Sequence, residues 1–487
     1  VLLAAAVSVI FLICSGCAVG PHYSRPSAPT PPAYKETPQN WKRAQPADQF
    51  IHGNWWEIYQ DPALNRLEER IEVSNQTLKA SQAQFQQARA LVAYNRANYF
   101  PFVTTDPSFS HNRLSQNRPL LGSTSNYNDI ILPVDASYEP DLWGRVRRTV
   151  EAARANAQAS AADLESVRLS LHAELALDYF AAHALDAEVQ LLNSTVTAYE
   201  KALELTNNRY RGGIASQVDV AQAQTQLEAT RAQATDLTAQ RAAYEHAIAV
   251  LVGEPPADFS LPVAALNAAP PTIPPGLPSD LLERRPDIAA AERRMVAANA
   301  QIGVARSAYF PNLTLSASGG FEGTSLTNWL TGPSGFAAAG LGAMETLFNA
   351  GLRHAVSQQA QAAYDQSVAN YRQVVLTAFQ EVEDNLAALR ILDEEAGTQG
   401  AAVAAAEHSL ALSNNRYRGG VATYLEVITA QSAALTDERA AVELAGRRMT
   451  DSVLLIKALG GGWSATSLPS ARSLAQSPSV SSPSTAH

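Results

Sequence analysis

Cysteine is almost absent from this chain of 487 residues: the only two, Cys14 and Cys17, lie near its start. The body therefore holds no disulfide framework, no thiol nucleophile and no zinc-type cysteine spacing. Also missing are a G-x-x-x-x-G-K phosphate loop, an H-E-x-x-H metal helix and a G-x-S-x-G nucleophile elbow, and the histidines are scattered. No catalytic residue, metal site or cofactor is expected, and the chain does not read as an enzyme. There is no long basic run, and 36 Lys and Arg against 46 Asp and Glu leave a net charge of −10, so nucleic acid is not an expected partner. Methionine and phenylalanine are few, 3 and 13, while alanine and glutamine fill stretches such as AARANAQASAADLESVRLSLHAELAL. Such stretches favour helices in close contact over a thick greasy core.

No run is apolar for long enough to read as a membrane-spanning helix. The opening VLLAAAVSVIFLICSGC is apolar for about 13 residues, the length of an export-signal core. Cys14-Ser15-Gly16-Cys17 resembles a bacterial lipobox, so residues 1–16 are expected to be a signal and Cys17 the lipidated residue. The proline-rich stretch Pro21 to Pro38 is expected to be extended, and Ser464 to His487, rich in Ser, Ala and Pro, to be disordered.

What the chain does have is a repeat. NNRYRGG occurs at Asn207 to Gly213 and again at Asn414 to Gly420. Leu205 to Gly253 aligns with Leu412 to Gly460 without a gap at an offset of 207, and 16 of the 49 positions are identical. Upstream, RANYFP at Arg96 is answered by RSAYFP at Arg306, and LWGRVRR at Leu142 by LFNAGLR at Leu347. An internal duplication follows. The chain divides into 1–16, a linker 17–60, a first repeat 61–253, a linker 254–278, a second repeat 279–460 and a tail 461–487.

Beyond Gly144 neither proline nor glycine occurs until Gly212, so an unbroken helix there reaches about 100 Å. Its apolar seam includes Val146, Val150, Leu164, Val167, Leu171, Leu185, Val189, Leu192, Val196, Tyr199 and Leu203, in alternating steps of three and four. The second half carries Val403, Ala406, Leu410 and Tyr417 at matching places. Each rod ends in Arg-Tyr-Arg-Gly-Gly, at Arg209, Tyr210, Arg211, Gly212 and Gly213 and at Arg416, Tyr417, Arg418, Gly419 and Gly420. Glycine suits the helix end and the arginines suit its negative dipole end. Ser216 with Asp219, and Thr423 with Glu426, have capping-box spacing for the returning helices. Each heptapeptide thus marks a tight helical hairpin at the far end of a rod.

At the other end the period changes to two. Phe102 to His111, Ile130 to Tyr138, Asn312 to Phe321 and Gly335 to Met344 read as four strands in two hairpins. Four strands cannot close a membrane barrel, whose minimum is about eight, so a barrel would have to be shared among chains. The alternative is a set of small sheets capping a structural or tethering periplasmic coiled-coil lipoprotein without a pore.

WWEIYQDPALNRLEERIEVSNQTLKAS at Trp55, LLERRPDIAAAERRMVAANAQIGVARSAYFP at Leu281 and the two RYRGG hairpins together resemble the TolC-like outer-membrane factors, in particular the lipoprotein branch serving resistance-nodulation-division efflux systems. The resemblance covers nearly all of the chain after Cys17. It implies a mainly α fold with a small β part. Duplicated antiparallel helical hairpins would form an α-barrel, and each chain would give four strands to a twelve-stranded barrel of a homotrimer in the outer membrane. It further implies passive export of drugs or other small solutes, handed on by an inner-membrane pump and a periplasmic adaptor, with outer-membrane lipid around the barrel. By position the two RYRGG turns match the periplasmic tips, where relatives meet the adaptor and where the closed state is pinched. Many relatives carry an acidic residue where this chain has Ala215 and Ala422, which leaves Asp219 and Glu426, with Ser216 and Thr423, as gate or capping residues.

Overall fold

The computed structural model describes residues 18–36, 53–115, 126–266, 269–274, 276 and 278–475. Cys17, the signal segment and residues 476–487 of the tail lie outside them.

A short helical turn, Trp55–Tyr59, leads to α1 (Pro62–Ser74) and α2 (Gln76–Ala97). Asp61 caps α1, its Oδ1 accepting from the amides of Ala63 and Leu64 at 2.8 and 3.2 Å, and Pro62 supplies a first-turn residue that needs no donor. After Tyr99-Phe100-Pro101 come β1 (Phe102–Thr104), β2 (Ser108–Arg113) and β3 (Asn126–Tyr138). The expected single strand from Phe102 to His111 is therefore interrupted. Pro107 has no amide to donate, and β1 and β2 pair separately with β3.

The first rod, α3 (Arg145–Arg211), turns into α4 (Gln217–Leu251); after the linker come α5 (Leu281–Arg284), α6 (Pro286–Ser307), β4 (Asn312–Gly323) and β5 (Gly335–Met344). The second rod, α7 (Leu352–Arg418), turns into α8 (Tyr424–Ala458). Both rods have 67 residues and both returning helices 35, and Gly144 and Gly351 open the rods at φ of 81° and 89°.

All strands join one antiparallel sheet in the order β1/β2, β3, β4, β5. Its centre pairs β3 with β4, from Ile130 opposite Gly323 to Tyr138 opposite Leu315, with Pro133 opposite Gly320. At the sheet's base Trp143 donates to the Pro311 carbonyl at 2.8 Å and stacks on Phe310, locking the two halves together where strands meet helices.

The largest buried cluster lies at mid-rod, where α1, α3, α4, α6, α7 and α8 converge. There Leu64, Ile71, Leu175, Ile248, Ile288, Met295, Tyr371, Val375 and Val453 form one core. Elsewhere alanines such as Ala152 and Ala155 on α3 and Ala297 and Ala300 on α6 let the two helices approach closely. The first part of the tail does not hang free as its composition suggests. Leu474 packs on Val92 and Ala157, and Gln158 donates to the Pro469 carbonyl at 3.0 Å. No helix among the described residues is long and apolar enough to cross a membrane.

Two joints repeat. The end of α4 docks on the bend between α1 and α2, where the Asn75 side chain donates to the Leu251 carbonyl at 2.8 Å. The end of α8 docks on the bend between α5 and α6, where Arg285 donates to the Ala458 carbonyl at 2.9 Å.

Candidate functional site

The tips of both hairpins have the same backbone. Gly213 and Ile214 return their amides to the carbonyls of Tyr210 and Arg209, both at 2.9 Å, and Gly420 and Val421 do the same to Tyr417 and Arg416 at 3.0 and 3.1 Å. This is the paired closure that satisfies the orphan carbonyls of a helix end. Only the second glycine of each pair is left-handed, at φ of 74° for Gly213 and 77° for Gly420. Gly212 has φ of −79°, and a Cβ there would meet nothing closer than 3.5 Å. Gly213→Ala is therefore expected to cost about 1 kcal/mol in unfolding free energy and Gly212→Ala close to nothing, measured by denaturant unfolding of the detergent-solubilised protein.

Arg209 joins the two hairpins. Its Nη1 donates to the Tyr417 carbonyl at 2.7 Å and its guanidinium lies over the Tyr417 ring, 4.4 Å from the centroid. A cation is thereby held on the negative end of α7 and on an aromatic face at once. Tyr417 leans on Tyr424 at 5.3 Å, and Ala223 of α4 and Val427 of α8 complete the cluster, so all four tip helices meet there. Tyr210, Arg211 and Arg418 are exposed.

The duplicated residues do not do duplicate work. Arg416, the counterpart of Arg209, pairs through Nε with Glu426 at 3.1 Å. Around α4 the capping box is complete: Ser216 Oγ accepts from the Asp219 amide at 3.2 Å, and Asp219 Oδ2 accepts from the Ser216 amide at 2.8 Å. Around α8 it is not, a correction to the reading from spacing. Thr423 makes no side-chain cap: the Glu426 amide donates to the Thr423 carbonyl at 3.2 Å instead, and the Glu426 carboxylate is turned to Arg416. Cys17 lies outside the described residues, and Ala18 sits against Gly144 at the base of the sheet.

Three features escaped the sequence reading. Arg285, in the LLERRPDI segment, bonds Asp287, Glu381 and the end of α8. His172, passed over as scattered, is buried between Glu68 and Glu72. Residues 18–36 run as a strap onto α7, with Arg25 donating to Tyr371 and the amides of Lys35 and Glu36 donating to Glu383. Each joins residues roughly 100 or more positions apart, which local spacing does not reveal; a carboxylate pair at i, i+4 on α1 was the only available hint.

Comparison with known proteins agrees with this architecture. The model of the outer membrane efflux protein family matches residues 67–254 and 277–461. The chain is 34% identical to the probable efflux pump outer membrane protein TtgC of Pseudomonas putida, over 94% of this chain and 95% of that one. Among solved structures, the Campylobacter jejuni CmeC outer membrane channel is similar with a TM-score of 0.86 at 25% identity, over 92% of this chain and 96% of that one. The open-state MtrE outer membrane channel of Neisseria gonorrhoeae gives 0.80 at 27%, over 92% and 99%. With paired 67-residue rods below a small antiparallel sheet, and with relatives along almost its whole length, the chain belongs to the outer membrane efflux protein family and is the outer-membrane channel of an efflux system.

Proposed function

We propose that this channel works as a lipid-anchored homotrimer, in which three copies of the sheet close a twelve-stranded barrel and the rods continue it as a tunnel through the periplasm. The observation that carries the reading is the sheet's two outer edges: β1 and β2 on one side and β5 on the other pair only inward among the described residues. Hydrocarbon offers no partner to such edges, so in a membrane they have to pair with further copies. Three copies of four strand paths exceed the minimum of about eight strands. Exposed apolar and aromatic side chains at the strands and their base, including Phe100, Phe102, Leu341, Met344, Leu347 and Phe348, suit a lipid-facing wall with an aromatic girdle. The position of Ala18 at that base supports a lipid on Cys17 inserting beside the barrel.

In this reading an inner-membrane resistance-nodulation-division pump and a periplasmic adaptor deliver drugs or other small solutes. The adaptor docks on the exposed Tyr210, Arg211 and Arg418, with Gly212, Gly213, Gly419 and Gly420 shaping the turns. Arg209 on Tyr417 holds the tips together, and Ser216 with Asp219 keeps the returning helix rigid.

The test is single-channel conductance in planar bilayers of the detergent-extracted protein, together with its mass. A trimer with small discrete conductance, raised several-fold by Arg209→Ala, is expected. A monomer, or a trimer that stays silent even with Arg209→Ala, would refute the reading.

A further inference from the structure

We propose that Glu68, His172 and Glu72 form a proton-dependent clasp between α1 and α3 at mid-rod, tight below neutral pH and loosened above it. The clasp lies within a single copy and does not depend on how many copies assemble. His172 Nδ1 lies 2.7 Å from Glu68 Oε2 and Nε2 lies 3.1 Å from Glu72 Oε1. A neutral imidazole has one donor, so both contacts need one further proton, either on the ring as the imidazolium or on Glu68 as a carboxyl that donates to Nδ1. Trp56 stacks on the ring at 4.3 Å and 22°, which also favours the cation.

Glu68 is 0% exposed and His172 2% exposed. The second Glu68 oxygen, Oε1, is buried with no hydrogen-bond partner among the described residues. The Glu68 charge is therefore balanced from one side only. Once that further proton is gone, a neutral ring between two carboxylates keeps one bond and sets a lone pair against the other carboxylate, so the clasp loses either the buried Glu68 or Glu72. The other charged groups around the site are Glu69 on α1 and Arg168 and Glu165 on α3; residues 460–467 contribute none. Arg168 pairs with Glu72 at 2.7 Å, which leaves His172 as the only cation facing Glu68 among the described residues. A cavity of about 560 Å³ reaches His172 and Glu72 from the Trp56 side and gives water and protons access.

The direction follows from three titrations. Burial pushes the Glu68 carboxyl up to about 7 against the opposing pull of His172. Burial alone would lower His172, but its bonds to Glu68 and Glu72 outweigh that and raise it. Both groups have folded pKa values above their unfolded ones. Their contribution is complete in acid and is lost as the pH rises, through about 7 for Glu68 and above the ordinary histidine value for His172. Glu72 is lowered by its hydrogen bond to His172 and by Arg168, so its contribution is lost only as the pH falls below the ordinary carboxylate range. The change therefore begins above the ordinary carboxylate value of 4.5 for Glu68 and ends above the ordinary histidine value of 6.5 for His172.

Hydrogen exchange read by mass spectrometry on the purified full chain, corrected for intrinsic rates, tests the clasp. Between pH 6 and pH 8.5, peptides covering 62–74 are expected to lose about tenfold in protection, the equivalent of one pKa unit, while peptides at the tips do not change. Glu68→Gln, which cannot titrate and leaves His172 with Glu72 as its remaining carboxylate partner, is expected to weaken that pH dependence. If α1 protection is flat across this range, if the loss is uniform along the chain, or if Glu68→Gln keeps the wild-type profile, the clasp is overturned. The wild-type profile decides the matter by itself should the variant not fold.

Discussion

Replacing Arg285 with alanine is expected to destabilise the folded chain by about 3 kcal/mol. Arg285 is 7% exposed and precedes the first turn of α6. Its guanidinium forks onto Asp287 at 3.0 and 2.7 Å, reaches Glu381 of α7 at 2.6 Å and the Ala458 carbonyl of α8 at 2.9 Å. Three helices are thus held by one planar group. Alanine leaves the Ala458 carbonyl without this donor and opens space at the joint. The loss stays at the lower end for a broken buried pair because Asp287 and Glu381 are 35% and 47% exposed and can be rehydrated. Lysine is expected to recover little, since one ammonium cannot reproduce the fork and the reach to α8 together. Denaturant unfolding in detergent measures the difference, and a loss under about 1 kcal/mol for Arg285→Ala would show that the joint is held by packing alone.

This joint also marks how far the sequence could be read. The duplication, the rod ends and the strand Gly335 to Met344 were legible because helix breakers, seam spacing and alternation are local signals. The four strand paths were legible too, though not the break between Thr104 and Ser108. Which rod lies beside which was not. Asn75 and Arg285 take corresponding places at the two joints and bond the corresponding carbonyls of Leu251 and Leu251's counterpart Ala458, yet one side chain is neutral and the other charged. Nothing in the spacing equates them. Likewise NNRYRGG predicts two equal turns and gets two equal backbones, while Arg209 and Arg416 find different partners. A repeated segment repeats its own hydrogen bonds; what its side chains reach depends on surroundings that are not repeated.

Gly460→Ala is expected to be the more damaging change, at about 4 kcal/mol, through two independent terms. Gly460 has φ of 91°, a conformation that costs an L-residue about 1–2 kcal/mol even in open space. In addition, its added Cβ would stand 2.1 Å from the Arg284 carbonyl oxygen, which is backbone and cannot swing away. Either α8 withdraws from the bend, losing the Arg285 bond with it, or the bend itself is displaced. Gly253 supplies the comparison at the first joint: its φ is 75° and its added Cβ would meet the Ser74 carbonyl oxygen at 2.6 Å. Gly213, at a φ of 74° with nothing within 4 Å, isolates the conformational part. Unfolding free energies of the three alanine variants should therefore fall in the order Gly460, Gly253, Gly213, from the largest loss to the smallest. Equal losses would mean that backbone conformation alone demands glycine at the joints, whereas the graded order ties the demand to how closely each returning helix is pressed onto its bend.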